Sequence, residues 1–315
     1  MGGKKEMELR HLHTFKTVAE TKGFTKAAEM LSYAQSSVTA QIQALEEELG
    51  TKLFDRLGKK IVLTTAGEKL LSYASQILEL HDNAVQELTA GSVPAGTLTI
   101  GAPESLAAFR LPAIIREYTS LYPQVKIILR PGVCWELRSL ARSGELDIVF
   151  LLEPEVQEHD LHIETLVIEK MAIVAPPDHP LALRSVIEAE DLKEETLLHT
   201  EPGCSYRTLF EKHLNSCGVF PGTDLEFWSI EAIKNCVMSG LGLSFLPLIT
   251  VEKEIAEGKL KALQWNDEPC RVATQIAYHK KKWLSPALQE FLRLVKQHAR
   301  FWNERASACS SSQTI

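Results

Sequence analysis

Apolar residues in the first fifty positions recur at three- and four-residue steps. Leu9, Leu12, Phe15, Val18 and Ala19 form one helical stripe, which the pattern ends at Gly23. Thr25–Leu31 reads as a short second helix with Thr25 as its cap. Ser32-Tyr33-Ala34 is a turn, and a third helix begins near Gln35 and stops at Gly50. Val38, Ile42, Leu45 and Leu49 make its buried face. The opposite face, near its start, carries Gln35, Ser36, Thr39 and Gln41. Short uncharged hydrogen-bonding side chains in that place are what read base edges in a major groove. The same pattern also suits a three-helix packing module with a polar exposed face. The acidic run Glu46-Glu47-Glu48 falls at the far end, pointed away from any phosphates.

The period then changes. Lys52–Thr64 reads as two short strands around Gly58, with Arg56, Lys59 and Lys60 at the tip. A basic hairpin beside a helix-turn-helix is a wing placed to grip phosphates or reach a minor groove. Thr65 to Gly91 lacks proline and reads as one long helix. Gly67, Leu71, Ala74, Leu78, His81, Val85 and Leu88 fit alternating a and d positions of a heptad, so two copies could pair along this seam. Packing on its own chain is the other reading. His81 reads as a spacer in the seam. Ser92–Gly96 breaks the helix and marks a domain boundary.

From Thr97 onward strands alternate with helices. Strand patterns fall at 98–102, 126–130, 147–152, 164–174, 197–200, 224–228, 260–265 and 272–278. Helical ones fall at 111–121, 135–143, 206–216, 231–238 and 250–256. Such alternation predicts an α/β region with a mainly parallel sheet. Ligands of such sheets sit beyond the carboxyl ends of strands, at helix N-termini. Four stretches fit: Pro103-Glu104-Ser105, Gly132-Val133-Cys134, Glu201–Arg207 and Trp228–Glu231. Ser105, Ser205 and Ser229 are the candidate contacts, each also readable as a plain helix cap. Arg207 could pair with a ligand carboxylate or with Glu201. Gly240–Pro247 reads as a tight connection back into a strand.

Composition sharpens the division. The 315 residues carry a net charge of −7. Residues 1–65 hold 10 Lys and Arg against 8 Asp and Glu, net +2, while the remaining 250 hold 24 against 33, net −9. This asymmetry fits a small DNA-contacting head on a larger body. No stretch approaches the roughly 18 apolar residues of a membrane span. No apolar segment follows the N-terminal lysines, which predicts a cytoplasmic protein. Six cysteines without a C-x-x-C pair speak against a zinc site or disulfide scaffold. No Walker, G-x-S-x-G or H-E-x-x-H motif points to an enzyme, and no cofactor or metal is implied.

The ordered run Ala27–Leu31, Gln35–Ile42, Leu45–Gly50, Leu53–Arg56 and Leu63–Gly67 closely resembles LysR-type transcriptional regulators. The usual start of that family corresponds to Met7-Glu8-Leu9-Arg10, so the first six residues read as an extension. The resemblance implies a winged helix-turn-helix over 1–64, a linker (dimerisation) helix over 65–91, and an effector-binding regulatory domain over 92–300. That domain would have two lobes of periplasmic-binding-protein type, lobe I about 97–167 with 271–300 and lobe II about 168–270. A tail, 301–315, is expected to be mobile.

The resemblance places DNA contacts at Gln35, Ser36, Thr39, Ala40 and Arg56, to which Thr25 and the wing-tip Lys59 are added as candidates, and it implies a small-molecule effector in the cleft between the lobes, where Ser105, Cys134, Ser205, Arg207 and Ser229 are the candidate contacts. It implies a homodimer through the linker helix, a homotetramer, double-stranded DNA with an interrupted dyad operator, and RNA polymerase as a further partner. Ala40 stands where an arginine is common and cannot make a bidentate guanine contact; contact with a thymine methyl is the substitute. Ser36 stands where proline is common. Cys134 replaces a usual threonine or serine and suggests a less polar ligand end. Peroxide-sensing members carry a reactive cysteine in the Glu201–Arg207 loop, at the position that corresponds to Ser205, one place after Cys204. A helix N-terminus and Arg207 could lower the Cys204 pKa, so a redox-sensing regulator is an alternative. A small-molecule-binding protein without a specific DNA target is another.

Overall fold

The structure, a computed structural model, describes residues 7–57, 60–89, 93–220, 223–265 and 270–311, with the backbone path alone for 56–57, 86–89 and 305–311. The chain divides into two compact units, Met1–Gly91 and Ser92–Ile315.

In the first unit α1 (Leu9–Thr21), α2 (Phe24–Leu31) and α3 (Gln35–Leu49) precede a hairpin of β1 (Phe54–Leu57) and β2 (Lys60–Leu63), and α4 (Thr65–Thr89) follows. The core gathers Leu12, Phe15, Val18, Val38, Ile42, Leu45 and Phe54. Phe54 of the hairpin lies between Phe15 and Phe24, with ring centroids 5.3 and 5.9 Å away. Drawing Phe24 inward starts α2 one residue earlier than its polarity suggested. Lys22, at φ 53°, makes the left-handed turn that ends α1, one residue before Gly23, and Thr25 stands exposed inside the first turn instead of capping it. At the end of α3, Leu49 is exposed and Glu46 is buried in its place. Burial alone would push the Glu46 carboxyl up. Hydrogen bonds from Lys52 Nζ at 2.6 Å and the Leu53 amide at 3.0 Å outweigh that and hold it below its ordinary value. The acidic run is therefore partly structural, tying α3 to the wing.

Thr64 caps α4 by accepting from the Gly67 amide at 3.0 Å. Gly67 is needed here, because a Cβ would collide with the Leu53 carbonyl oxygen and approach Leu63 Cδ2 to 2.9 Å. Ala74 and Leu78 are buried in the head's own core. The expected seam through Gly67, Ala74 and Leu78 is therefore used within the chain. Of the expected seam, His81 and Val85 (45 %) are exposed; the other exposed apolar residues of the helix are Tyr73 (65 %), Ile77 (37 %) and Leu80 (68 %), with exposed Ala84 next in the same four-three-four spacing. Over its first half the free stripe lies one helical position away from the expected one, while His81 and Val85 farther along stay on the expected seam.

The second unit is α/β. Its elements are β3 (Gly96–Ala102), α5 (Glu104–Phe109), α6 (Leu111–Leu121), β4 (Val125–Pro131), α7 (Cys134–Ser143), β5 (Ile148–Glu153), β6 (Leu161–Glu169) and β7 (Met171–Ala175). They continue with β8 (Thr196–His199), α8 (Ser205–Ser216), β9 (Thr223–Glu226), α9 (Ile230–Met238), β10 (Leu243–Pro247), α10 (Glu252–Ala256), β11 (Lys261–Leu263), β12 (Val272–His279) and α11 (Pro286–Ser311). They build two five-stranded sheets, β4-β3-β5-β12-β6 and β11-β7-β10-β8-β9. All six residues of β5 are buried, as a central strand requires.

Three expectations are corrected. The stretch read as one strand over 164–174 is two strands, β6 and β7, in different sheets, with the chain crossing between lobes at Lys170. The sheets are mixed, not mainly parallel: β5, β12 and β6 pair antiparallel, as do β10, β7 and β11. The two crossings cause this, because the strands that carry the chain between lobes run back against their neighbours. Finally, α11 continues as helix to Ser311, past the expected end of the fold near residue 300. Tyr118 on α6 anchors α11 by donating to the Ala287 carbonyl at 2.8 Å.

At the first crossing Glu169 ends β6 and is buried. Arg110 grips it bidentately, Nη2 to Oε2 at 2.7 Å and Nε to Oε1 at 3.1 Å, and Thr274 Oγ1 on the return strand donates to Oε1 at 2.6 Å. The Arg110 guanidinium lies 4.6 Å from the Trp302 ring centroid.

Candidate functional site

Two places gather the singled-out residues. On α3, Gln35, Ser36 and Ala40 are exposed on the first turns, with Thr39 half-buried beside them. The Thr39 hydroxyl donates to the Gln35 carbonyl at 3.0 Å, leaving its oxygen lone pairs for an outside donor. Gln41 is turned inward and accepts from Thr14 Oγ1 at 2.6 Å, fixing α3 on α1. No side chain caps the start of α3, so its first amides face outward at the positive end of the helix dipole, a setting that favours phosphate. Arg56 lies on β1 opposite Ile61. Lys59 lies outside the described residues.

In the second unit the loops from opposite lobes meet in pairs. Glu104, first residue of α5, accepts with both carboxylate oxygens from the Ile230 amide at the start of α9, at 3.1 and 3.2 Å. Ser105 is buried at the second position of α5, and Ser229 precedes α9 with no side-chain capping bond, so the plain-cap reading holds for neither. Glu104 does the capping from across the cleft.

The second pair joins α7 to α8. Cys134, buried, accepts from the Leu152 amide with Sγ–N 3.4 Å. The Ser205 hydroxyl lies beside its thiol and is 3.5 Å from Glu153 Oε2, and Cys204 adjoins it too. Glu153 is itself held by Arg138. Ser205 opens α8 but Cys204 occupies its cap position. Trp135, 61 % exposed, stands over Gly203, where a Cβ would come 3.1 Å from the indole Nε1. Arg207 is not ion-paired with Glu201, its expected partner within the chain. It bonds Glu211 one turn on at 2.6 Å, Glu226 at 3.0 Å and the Thr200 carbonyl. Glu104 and Glu153 carry no motif signal; only the strand–helix register, seen in three dimensions, brings them to the lobe boundary.

Residues 9–68 match the family model of bacterial regulatory helix-turn-helix proteins of the lysR family, and residues 91–300 match the LysR substrate binding domain. The chain belongs to the LysR family of transcriptional regulators. It is 48 % identical to the HTH-type transcriptional regulator YwqM of Bacillus subtilis (strain 168), over 92 % of this chain and 99 % of that one. It is 35 % identical to the regulator GltR of the same organism, over 93 % and 97 %. Among solved structures, full-length OxyR of Pseudomonas aeruginosa superposes with a TM-score of 0.73 at 26 % identity, covering 94 % of this chain and 95 % of that one. This LysR-type protein is thus a DNA-binding regulator with an effector-binding domain, its helix-turn-helix followed by the two-lobed α/β unit.

The expected lowering of the Cys204 pKa is not found. Burial pushes the thiol up to about 11, and that of Cys134 up to about 12. The Arg207 guanidinium, meant to help, is occupied by Glu211 and Glu226. Cys134 and Cys204 of this LysR-type regulator are therefore protonated thiols at neutral pH. Alkylation of Cys204 at pH 8 is expected to run at least about 100-fold slower than that of a free cysteine. Exposed Cys217 serves as the internal reference in a mass-spectrometric time course. Equal rates at Cys204 and Cys217 would restore the redox reading.

Proposed function

We propose that this LysR-type regulator binds an interrupted dyad operator as a homodimer, two dimers forming a tetramer, and that a small-molecule effector in the cleft between the two lobes sets its activity. The observation that carries the reading is the exposed apolar stripe Tyr73, Ile77 and Leu80 on the linker helix, alongside Ala74 and Leu78, which are buried in the head. Such a stripe pairs with its copy and fixes two heads at one separation. The exposed polar start of α3 supplies base contacts, and the wing around Arg56 and Lys59 supplies phosphate contacts. The effector changes the angle between the lobes, and the linker helices carry that change to the heads and onward to RNA polymerase at the promoter. If the effector alters operator affinity, the operator alters effector affinity by the same factor. The work is binding, without catalysis or cofactor, in the cytoplasm; among the described residues no helix is long and apolar enough to cross a membrane.

Variants separate the two kinds of contact. Gln35→Ala and Thr39→Ala are expected to relax preference at particular bases, by about 1–3 kcal/mol per position. Arg56→Ala is expected to weaken binding on all sequences and lower the salt slope by about 1. Fluorescence anisotropy across a salt series on operator and scrambled duplexes reads both. An unchanged slope for Arg56→Ala would remove the wing from the interface, and unchanged base preference in both α3 variants would move the reading face elsewhere.

A further inference from the structure

The short helix α5 follows β3 directly, and its middle residues Ser105 and Leu106 are buried, so it belongs to the first lobe. Both of its ends reach the second lobe. At the first residue, Glu104 accepts from the Ile230 amide with both carboxylate oxygens, at 3.1 and 3.2 Å. Ile230 opens α9, so the carboxylate stands at the positive end of that helix. At the last residue, Phe109 packs against the second-lobe core cluster that holds Ile230, Ile233 and Val237. The Lys234 ammonium of α9 lies 5.2 Å from its ring centroid. Lys234 is itself buried and held by Glu254 at 2.9 Å, so the cation is fixed where the ring meets it.

The residue that follows α5 is Arg110, which grips Glu169 where the chain crosses between the lobes. One helical turn and a half thus carries a bond to α9, an aromatic contact with the second lobe and an ion pair on the crossing strand. A helix anchored by its own core moves with its lobe. A change of angle between the lobes therefore breaks the Glu104 and Phe109 contacts together, since a hydrogen bond near 3.1 Å tolerates little lengthening. The second pair of loops is held more loosely. There the Ser205 hydroxyl of α8 is 3.5 Å from Glu153 Oε2.

We infer that α5 is a latch, holding the two lobes closed on each other without effector through Glu104 and Phe109, with Arg110 rooting it on the crossing. The inference rests on the reading that the effector changes the angle between the lobes, and it names what must yield for that change. An effector that takes the α9 amide must first displace Glu104, and the lobes are then free to part.

The test uses the full chain without effector or DNA and reads Cys134 and Cys204, which are buried at the other pair of loops, where α7 meets α8. Changes at α5 expose both thiols only if the lobes part. Alkylation by iodoacetamide is followed by mass spectrometry against exposed Cys217, with circular dichroism as the check of fold. Glu104→Ala combined with Phe109→Ala is expected to speed both buried thiols by about 10-fold or more, with Cys217 unchanged. Glu104→Gln keeps a neutral acceptor for the Ile230 amide and should give a smaller rise at both, about threefold. Unchanged rates at Cys134 and Cys204 in the folded double variant would overturn the latch, and so would a rise at one thiol alone. If the double variant loses its fold, Glu104→Gln and Phe109→Leu decide by the same two rates. Operator affinity of the double variant tests the underlying reading separately. Parted lobes with unchanged affinity would leave the latch standing and contradict the link from lobe angle to the heads.

Discussion

Replacing Arg110 by alanine is expected to destabilise the two-lobed unit by about 3–5 kcal/mol, the cost of leaving a buried carboxylate without its partner. Glu169 is 2 % exposed at its side chain and Arg110 15 %, so water reaches neither end of the pair readily. The Thr274 hydroxyl alone would then face the charge. The pair stands where β6 leaves the first lobe, so the loss falls on the hinge as well as the core. Urea unfolding of Arg110→Ala, Glu169→Gln and the double variant gives the coupling. The double variant should recover much of the loss, because removing both charges leaves no orphan. Additive losses would mean that the pair is not the unit that holds the crossing together.

Leu80→Lys is the second large effect. It places a charge in the exposed stripe of α4 without touching the head core, and is expected to give a folded monomer. Operator affinity should fall by about 100-fold or more, since a single head loses the gain from simultaneous engagement of two half-sites. Leu78→Lys behaves differently, because Leu78 is buried within the head and the substitution should unfold it. Light scattering and circular dichroism distinguish the two outcomes. If Leu80→Lys stays dimeric while binding is lost, the stripe is not the seam.

That pair of leucines also marks how much of this protein is legible in its sequence. The three helices, the hairpin, the long helix and the α/β character of the body follow from periodicity and turns, whereas the division of that body into two lobes is what the family resemblance implies. Which face of α4 is free does not, because heptad spacing cannot tell a residue facing a partner from one facing its own head. Ala74 and Leu78 satisfy both patterns equally. The same limit explains the caps: a serine or threonine before a helix looks like a cap, yet Thr25 stands inside α2, Ser105 inside α5 and Ser205 inside α8. The loops that meet between the lobes were readable as four stretches, since helix starts after strands carry a local signal. Their pairing was not, because Glu104 reaches α9 and Ser205 reaches Glu153 only once the chain has crossed twice. Arg207 was read against its sequence neighbour Glu201, whereas helical geometry gives it to Glu211.

The measurement that bears most directly on the regulator reading is footprinting of the purified chain on the intergenic DNA upstream of its own gene, titrated with salt. Two protected half-sites separated by whole helical turns, weakening steeply as salt rises, are the predicted result. A folded, dimeric protein that protects nothing specifically at low salt would contradict it.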